Sequence, residues 1–286
     1  NIFYVLFILG VCALIAPLIV NLQLIRQEVP IMIGASVLLL LLSLDGVLSW
    51  IDGAILVVLM VAYTAFLVIQ SRSQAQAGNT EFDVENQPAK PGAWDSRWPA
   101  QLGLISFGLF LLVVGSDWLV GSAVEFAKVM GVSDVVIALT IVSAGTSLPE
   151  VATSVAAALK GERDIAVGNV VGSCTFNILA CLGLASLVAL PAGLQVASSI
   201  MAFDMWVMLA VAFACLPIFL TGREIARWEG AVFLAYYTAY VVYLVLNAQG
   251  HDALDLYSNT MLSFVVPITV ITLVVSVLRG KSQAAT

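Results

Sequence analysis

The 286-residue sequence predicts an all-α polytopic membrane protein, and three observations carry that reading. Hydrophobic residues make up 61% of the chain and charged residues only 10%, with a mean hydropathy of +1.05. No soluble domain of this size needs so much apolar surface. Apolar runs long enough to cross about 30 Å of hydrocarbon recur along the whole length. Lysine and arginine, finally, are confined almost entirely to alternate loops between those runs.

The runs lie near 2–20, 29–48, 54–70, 101–120, 132–159, 165–190, 200–220, 228–247 and 259–278, which gives about nine spans. All are expected to be helices, because backbone groups in lipid must be satisfied within their own segment. Segment 71–99, with Pro88, Pro91 and the acids Glu81, Asp83 and Glu85, is the only long polar stretch and reads as a solvated, flexible linker between two halves. The run 132–159 is too long for one straight crossing, so a break is expected near 145–149, where Gly145 and Pro149 loosen the helix. The run 165–190 carries Gly168 and Gly172, a small-xxx-small pair suited to close helix contact.

If the side holding the 71–99 loop is called X, the X side carries Arg26, Arg72, Lys90, Arg97, Lys160, Arg163, Arg223, Arg227, Arg279 and Lys281. The opposite side carries Lys128 alone. The excess assigns X to the cytoplasm of a cell (inner or plasma) membrane, with the linker and the C-terminus cytoplasmic.

Several function classes recede. A net charge of −7 makes nucleic acid an unsuitable partner. Cys12, Cys174, Cys181 and Cys215 lie in or beside apolar runs and form no close CxxC pair, so neither a disulfide framework nor a zinc site is indicated. The single His251 sits among polar residues between two runs. An intramembrane protease using Ser147 would lack a His or Lys within plausible reach in sequence, and no HExxH motif is present; the chain is read as no enzyme, with no cofactor.

The start of the chain matches a later stretch. Asn1-Ile-Phe-Tyr-Val-Leu-Phe-Ile-Leu-Gly aligns with Cys174-Thr-Phe-Asn-Ile-Leu-Ala-Cys-Leu-Gly, placing Phe3 on Phe176 and Gly10 on Gly183. The match continues with Asp45-Gly46 on Thr221-Gly222, Asp52-Gly53 on Glu229-Gly230 and Ala62-Tyr63 on Ala239-Tyr240. Three spans within 2–70 thus repeat as three spans within 165–247, five crossings later. An odd number of crossings inverts the second copy, and inverted repeats place a transporter's substrate at the repeat interface near the midplane. The chain divides accordingly into 1–70 (tail of a first repeat), 71–99 (linker), 100–248 (second repeat) and 249–286 (an extra span and tail). Residues 101–173 have no earlier counterpart, so the sequence is read as N-terminally truncated, the rival being a single-copy protein that pairs with a second subunit.

The chemistry concentrates in 143–177. Glu150 has apolar runs on both sides, and a carboxylate at the bilayer centre costs roughly 2.5–3.5 kcal/mol on insertion scales, which points to an ion or proton site. Thr146 and Ser147 precede Glu150 by four and three residues and share its helix face, with capping of the half-helix as their plainer role. Ser173 and Asn177 are again i, i+4 on the next helix, where a plain interhelical contact is the competing reading. Asn169 stands one turn before Ser173. Asp117 beside Trp118 reads equally as an interfacial anchor.

Gly145-Thr-Ser-Leu-Pro-Glu150, Asp164-Ile-Ala-Val-Gly-Asn-Val-Val-Gly-Ser173 and Ser116-Asp-Trp-Leu-Val120 resemble the second α-repeat of the cation/calcium exchanger superfamily, in particular its bacterial sodium/calcium exchanger-like branch. The resemblance extends to about residue 248. It implies the inverted-repeat exchanger fold, with the first repeat incomplete here. It also implies a metal site built from Glu150, Thr146, Ser147, Ser173 and Asn177, with a backbone carbonyl near Ser143. The implied activity is secondary-active antiport of sodium against calcium by alternating access, the partners being those two ions and the lipid bilayer. Calcium/proton or other cation exchange is the alternative within transport, and a non-transporting half-protein or scaffold the alternative outside it. The sequence departs from the family pattern at Cys174, where Asn is usual, at Asn177, where Asp is frequent, and at Tyr4, where Asn or Asp is usual. Calcium takes six to eight oxygens, so one glutamate with neutral groups leaves a second carboxylate to be supplied by a missing N-terminal repeat or a second subunit.

Overall fold

The structure, a computed structural model, describes residues 1–76, 98–131 and 137–283. Most of the expected linker, including Glu81, Asp83, Glu85, Pro88, Lys90, Pro91 and Arg97, lies outside the described residues, as do the first five residues of the 132–159 run.

Helices dominate. They are α1 (Phe3–Ile15), α2 (Leu24–Leu42), α3 (Trp50–Gln76), α4 (Trp98–Val129), α5 (the π-turn Ala138–Val142 followed by Ser143–Gly145), α6 (Leu148–Lys160), α7 (Arg163–Val188), α8 (Ile200–Leu220), α9 (Arg227–Gln249) and α10 (Leu254–Val275). Among the described residues, seven helices are long and apolar enough to cross a membrane. The other two expected spans take different forms. The run 2–20 is helical only to Ile15, because Ala16 is extended (φ −146°, ψ 134°) before Pro17, whose ring disfavours a helical residue in front of it. The 132–159 run is interrupted at Thr146 and Ser147, as Gly145 and Pro149 lead one to expect. The helices also extend past the expected linker edges, α3 to Gln76 and α4 back to Trp98, with Pro99 in the first turn, where its missing N–H costs nothing.

Two-residue strands close the loops in pairs. Leu18–Ile19 (β1) is antiparallel to Glu224–Ile225 (β4), and Val47–Leu48 (β2) to Leu194–Gln195 (β3). The first pair joins the segment before α2, whose first turn carries Arg26, to the loop bearing Arg223. The second joins 43–49 and 189–199, which carry no Lys or Arg.

The residues paired by the sequence repeat make matching contacts. α1 packs on α9, and α3 packs on the second half of α7. Both crossings are glycine-on-glycine. A Cβ on Gly230 would stand 2.8 Å from the Ala13 Cβ and 2.9 Å from the Gly10 carbonyl; one on Gly53 would stand 2.8 Å from the Gly183 carbonyl. Such approach is what small-residue helix contacts in membranes permit. The starts of α3 and α9 match as well. Asp52 accepts hydrogen bonds from the Ser49 backbone N–H (2.8 Å) and hydroxyl (2.6 Å), and Glu229 accepts one from the Ala226 N–H (2.8 Å). Each carboxylate thus satisfies an end donor that the helix leaves unpaired. Gly230→Ala should destabilise the purified protein by about 1–3 kcal/mol, the usual range for overpacking, read as a lowered midpoint of thermal unfolding in detergent.

Candidate functional site

Proline chemistry builds the break beside Glu150. Pro149 has no N–H, so the Gly145 carbonyl four residues earlier has no helical donor. The Ser116 hydroxyl of α4 donates to it instead, at 2.8 Å. One turn along α4, Val120 lies against Gly145 so closely that a Cβ there would fall 2.1 Å from its Cγ2. The Ser147 N–H bonds the Ala144 carbonyl (3.1 Å) rather than the Ser143 carbonyl four residues back. Ser147 therefore stands at the N-cap of α6 (φ −98°, ψ 5°), yet its side chain makes no capping hydrogen bond. Glu150 falls in the first turn of α6, where a negative charge is favoured by the helix dipole.

An open cavity of about 480 Å³ lies between α6 and α7, lined by Glu150, Gly168, Asn169, Gly172, Ser173, Phe176, Asn177 and Cys181. Asn169, Ser173 and Asn177 are spaced at i, i+4, i+8, so all three present to the same side of α7. Small residues at 168 and 172 leave the room. Asn169 ties the two helices together by donating to Ser154 Oγ at 2.9 Å and Thr153 Oγ1 at 3.3 Å; Thr153 in turn donates to the Glu150 carbonyl at 3.1 Å.

Glu150 is half-buried, and its Oε2 is buried with no hydrogen-bond partner among the described residues. A buried acceptor left unmade costs about 1–3 kcal/mol, more when charged, unless a cation or water completes it. Among the described residues no group of three or more His, Cys, Asp or Glu converges anywhere, and Glu150 is the one carboxylate among the cavity's lining residues. The donor set is one carboxylate plus carboxamide and hydroxyl oxygens, chemistry suited to hard cations rather than to zinc or copper.

Of the six candidate ligands, the structure brings Glu150, Ser173 and Asn177 into one cavity. Ser147 is buried and does not line the cavity. Thr146 is exposed in the turn and does not line the cavity; of Ser143 only the backbone, in the single turn of α5, is described. Asp117 is exposed. One feature escaped the sequence reading. Asp204 lies inside the span Ile200–Leu220, and its Oδ1 accepts a hydrogen bond from the Tyr240 hydroxyl at 2.6 Å.

The copies also meet at their aligned residues, the Asn1 carboxamide donating to the Cys174 carbonyl at 3.1 Å.

Known proteins resemble this chain in sequence and fold. A family model described as "Sodium/calcium exchanger protein" matches residues 1–69 and 100–246. The putative antiporter CaxA of Alkalimonas amylolytica is 36% identical over 245 residues, which cover 84% of this chain and 74% of that protein. The inner membrane protein YrbG of Escherichia coli is 36% identical over 188 residues, 66% of this chain and 57% of that protein. The sodium/calcium exchanger MaX1 of Methanosarcina acetivorans is 41% identical over 133 residues, 46% of this chain and 37% of that protein. The chain therefore spans less than two thirds of the latter two relatives. The solved sodium/calcium exchanger from Methanococcus jannaschii superposes with a TM-score of 0.64 at 27% identity, over 84% of this chain and 72% of that one. With its multi-pass helical fold and most of its length matched, the chain belongs to the sodium/calcium exchanger protein family, a family of secondary transporters and not of enzymes.

Proposed function

We propose that this chain carries one half of the ion site of a sodium/calcium antiporter that works by alternating access. The single observation that carries this reading is the buried Glu150 Oε2, without a hydrogen-bond partner among the described residues, beside a cavity shared with Ser173 and Asn177. Glu150 is the central ligand, held competitively by calcium and by sodium. Ser173 and Asn177 supply oxygens from α7, and Ser147, Thr146 and the Ser143 carbonyl supply them from the break. Transport needs no covalent step and no cofactor: helices move around the bound ion.

The same reading treats 1–70 and 100–248 as two copies of one unit, joined by the 71–99 linker, with 249–286 outside the repeat. The counterparts of α5 and α6 in the first copy bring the second carboxylate that calcium requires, from upstream sequence or from a second subunit. The protein resides in the cell membrane with its linker and C-terminus in the cytoplasm, following the Lys and Arg distribution.

Calcium-45 uptake into proteoliposomes tests the proposal. An inward-negative result under an outward sodium gradient, with uptake driven only by a pH gradient, would replace sodium by protons as the counter-ion. The expected result is uptake that follows the sodium gradient and disappears when monensin collapses it. Should the isolated chain be inert, the same assay with the missing half co-reconstituted separates an incomplete site from a scaffold.

A further inference from the structure

We infer that the junction of α1, α2, α7 and α8 holds a second metal site, built from Cys174, Met32 and Met208 and suited to a soft monovalent cation of the copper(I) class. The site goes beyond the Glu150 cavity and does not depend on how that cavity is read. A cavity of about 10 Å³ lies at this junction, with the three sulfur-bearing side chains and Asn1 among its lining residues. It shares no lining residue with the larger cavity. Such a volume is room for about one water-sized sphere. Met32 and Cys174 are buried. Two of the sulfurs meet the same residue: the Asn1 carboxamide donates to Met208 Sδ at 3.8 Å, and the Cys174 thiol donates to the Asn1 backbone carbonyl at 3.9 Å. The repeat explains the convergence. Met32 and Met208 stand at the same separation as the aligned Asp45 and Thr221, so each copy sends a methionine to the place where the copies meet. The π-turns Leu24–Glu28 and Ile200–Asp204 match at that separation too, and each methionine follows one turn later.

Sulfur chemistry selects the ion. Thiolate and thioether ligands favour copper(I), whereas calcium and other hard cations ask for oxygen. Binding exchanges the Cys174 thiol proton for the metal and releases that proton to solvent; a metal–sulfur bond forms and no oxidation state changes. Cys174 is the one ionisable side chain among the lining residues, so a monovalent ion on its thiolate is neutral overall. A divalent ion would leave a net charge inside the bundle, where an uncompensated charge is costly. The two thioethers add ligands without adding charge. In a purely apolar core, methionine adapts to irregular space and fills it. Here two methionines and a thiol border a gap instead.

Silver(I), a redox-inert ion of the same class, is the probe. Silver nitrate is titrated calorimetrically into the purified full chain in chloride-free detergent buffer, with the exposed Cys181 replaced by serine so that its thiol takes no silver. The expected result is one silver ion per chain, with three sulfur neighbours by X-ray absorption at the silver edge. Cys174→Ser should weaken binding at least about a hundredfold. Met32→Leu combined with Met208→Leu, a swap that keeps side-chain volume, should weaken it about thirtyfold and leave one sulfur neighbour. Silver affinity and sulfur count unchanged in that double variant mean adventitious binding to a thiol and overturn the site. Silver binding that survives Cys174→Ser places the ion on another cysteine and overturns it equally. If Cys174→Ser does not fold, the methionine variants, singly or together, decide the question by the same two readouts. Glu150→Gln should leave silver affinity within about twofold of its parent. A loss there assigns the silver to the larger cavity and rejects this site, whereas a failure of calcium transport alone leaves it standing.

Discussion

Glu150→Gln is expected to abolish calcium binding and at the same time to raise the thermal midpoint of the ion-free protein. The two effects have one cause. Without an ion, the Glu150 Oε2 is buried and accepts no hydrogen bond from the described residues. Placing a carboxylate at membrane depth costs roughly 2.5–3.5 kcal/mol on insertion scales, and an amide of the same shape avoids most of that. With an ion, the balance reverses. Glutamine has one oxygen instead of two and no charge, so on the proposed reading calcium would lose a bidentate ligand and the one carboxylate among the cavity's lining residues. A fall of about a hundredfold in affinity, about 2.7 kcal/mol, is the expected minimum.

The two signs make the experiment hard to mistake for general damage. A merely misfolded variant would have a lower midpoint in every condition. The wild type should gain about 2.7 kcal/mol of stability when calcium reaches a hundred times its dissociation constant, and the variant should gain none. Differential scanning fluorimetry with and without calcium reads both quantities in one plate. A variant less stable than wild type without ions would mean that Glu150 has a structural partner, and the cavity would then not be an ion site.

How much of this was readable beforehand differs by feature. The helical class and the position of the break were legible, because hydropathy, Gly145 and Pro149 act locally on the chain. The ends of helices were less so: α1 stops at Ile15 although the apolar run continues, since the Ala16–Pro17 geometry overrides hydropathy. The convergence of Glu150, Ser173 and Asn177 followed from i, i+4 spacing plus antiparallel packing of α6 on α7. Asp204 was passed over. Its cost inside a span is offset by Tyr240 on another helix, and no local pattern announces such a pair.

The break itself yields the second large effect, and here the outcome turns on a neighbour. Gly145→Ala places a methyl 2.1 Å from Val120 Cγ2 and 3.1 Å from Cγ1, distances that no rotamer adjustment of alanine relieves. Valine is β-branched and stiff at χ1, so it cannot swing aside at low cost. Either α4 retreats or the turn at Thr146 and Ser147 shifts. Retreat also pulls Ser116 from the Gly145 carbonyl, which Pro149 has already deprived of a helical donor. The expected destabilisation is about 2–4 kcal/mol, overpacking plus a carbonyl left unsatisfied. Because α6 begins at this turn, Glu150 moves with it, and calcium binding should weaken about tenfold as well. Val120→Ala removes the colliding methyls. Alone it should cost about 1 kcal/mol through the small cavity it leaves. Combined with Gly145→Ala it should restore most of both stability and calcium affinity, a coupling of at least 1 kcal/mol in the double-mutant cycle. Strictly additive losses would show that the collision is not what makes glycine necessary at 145, and that α4 does not hold the break in place.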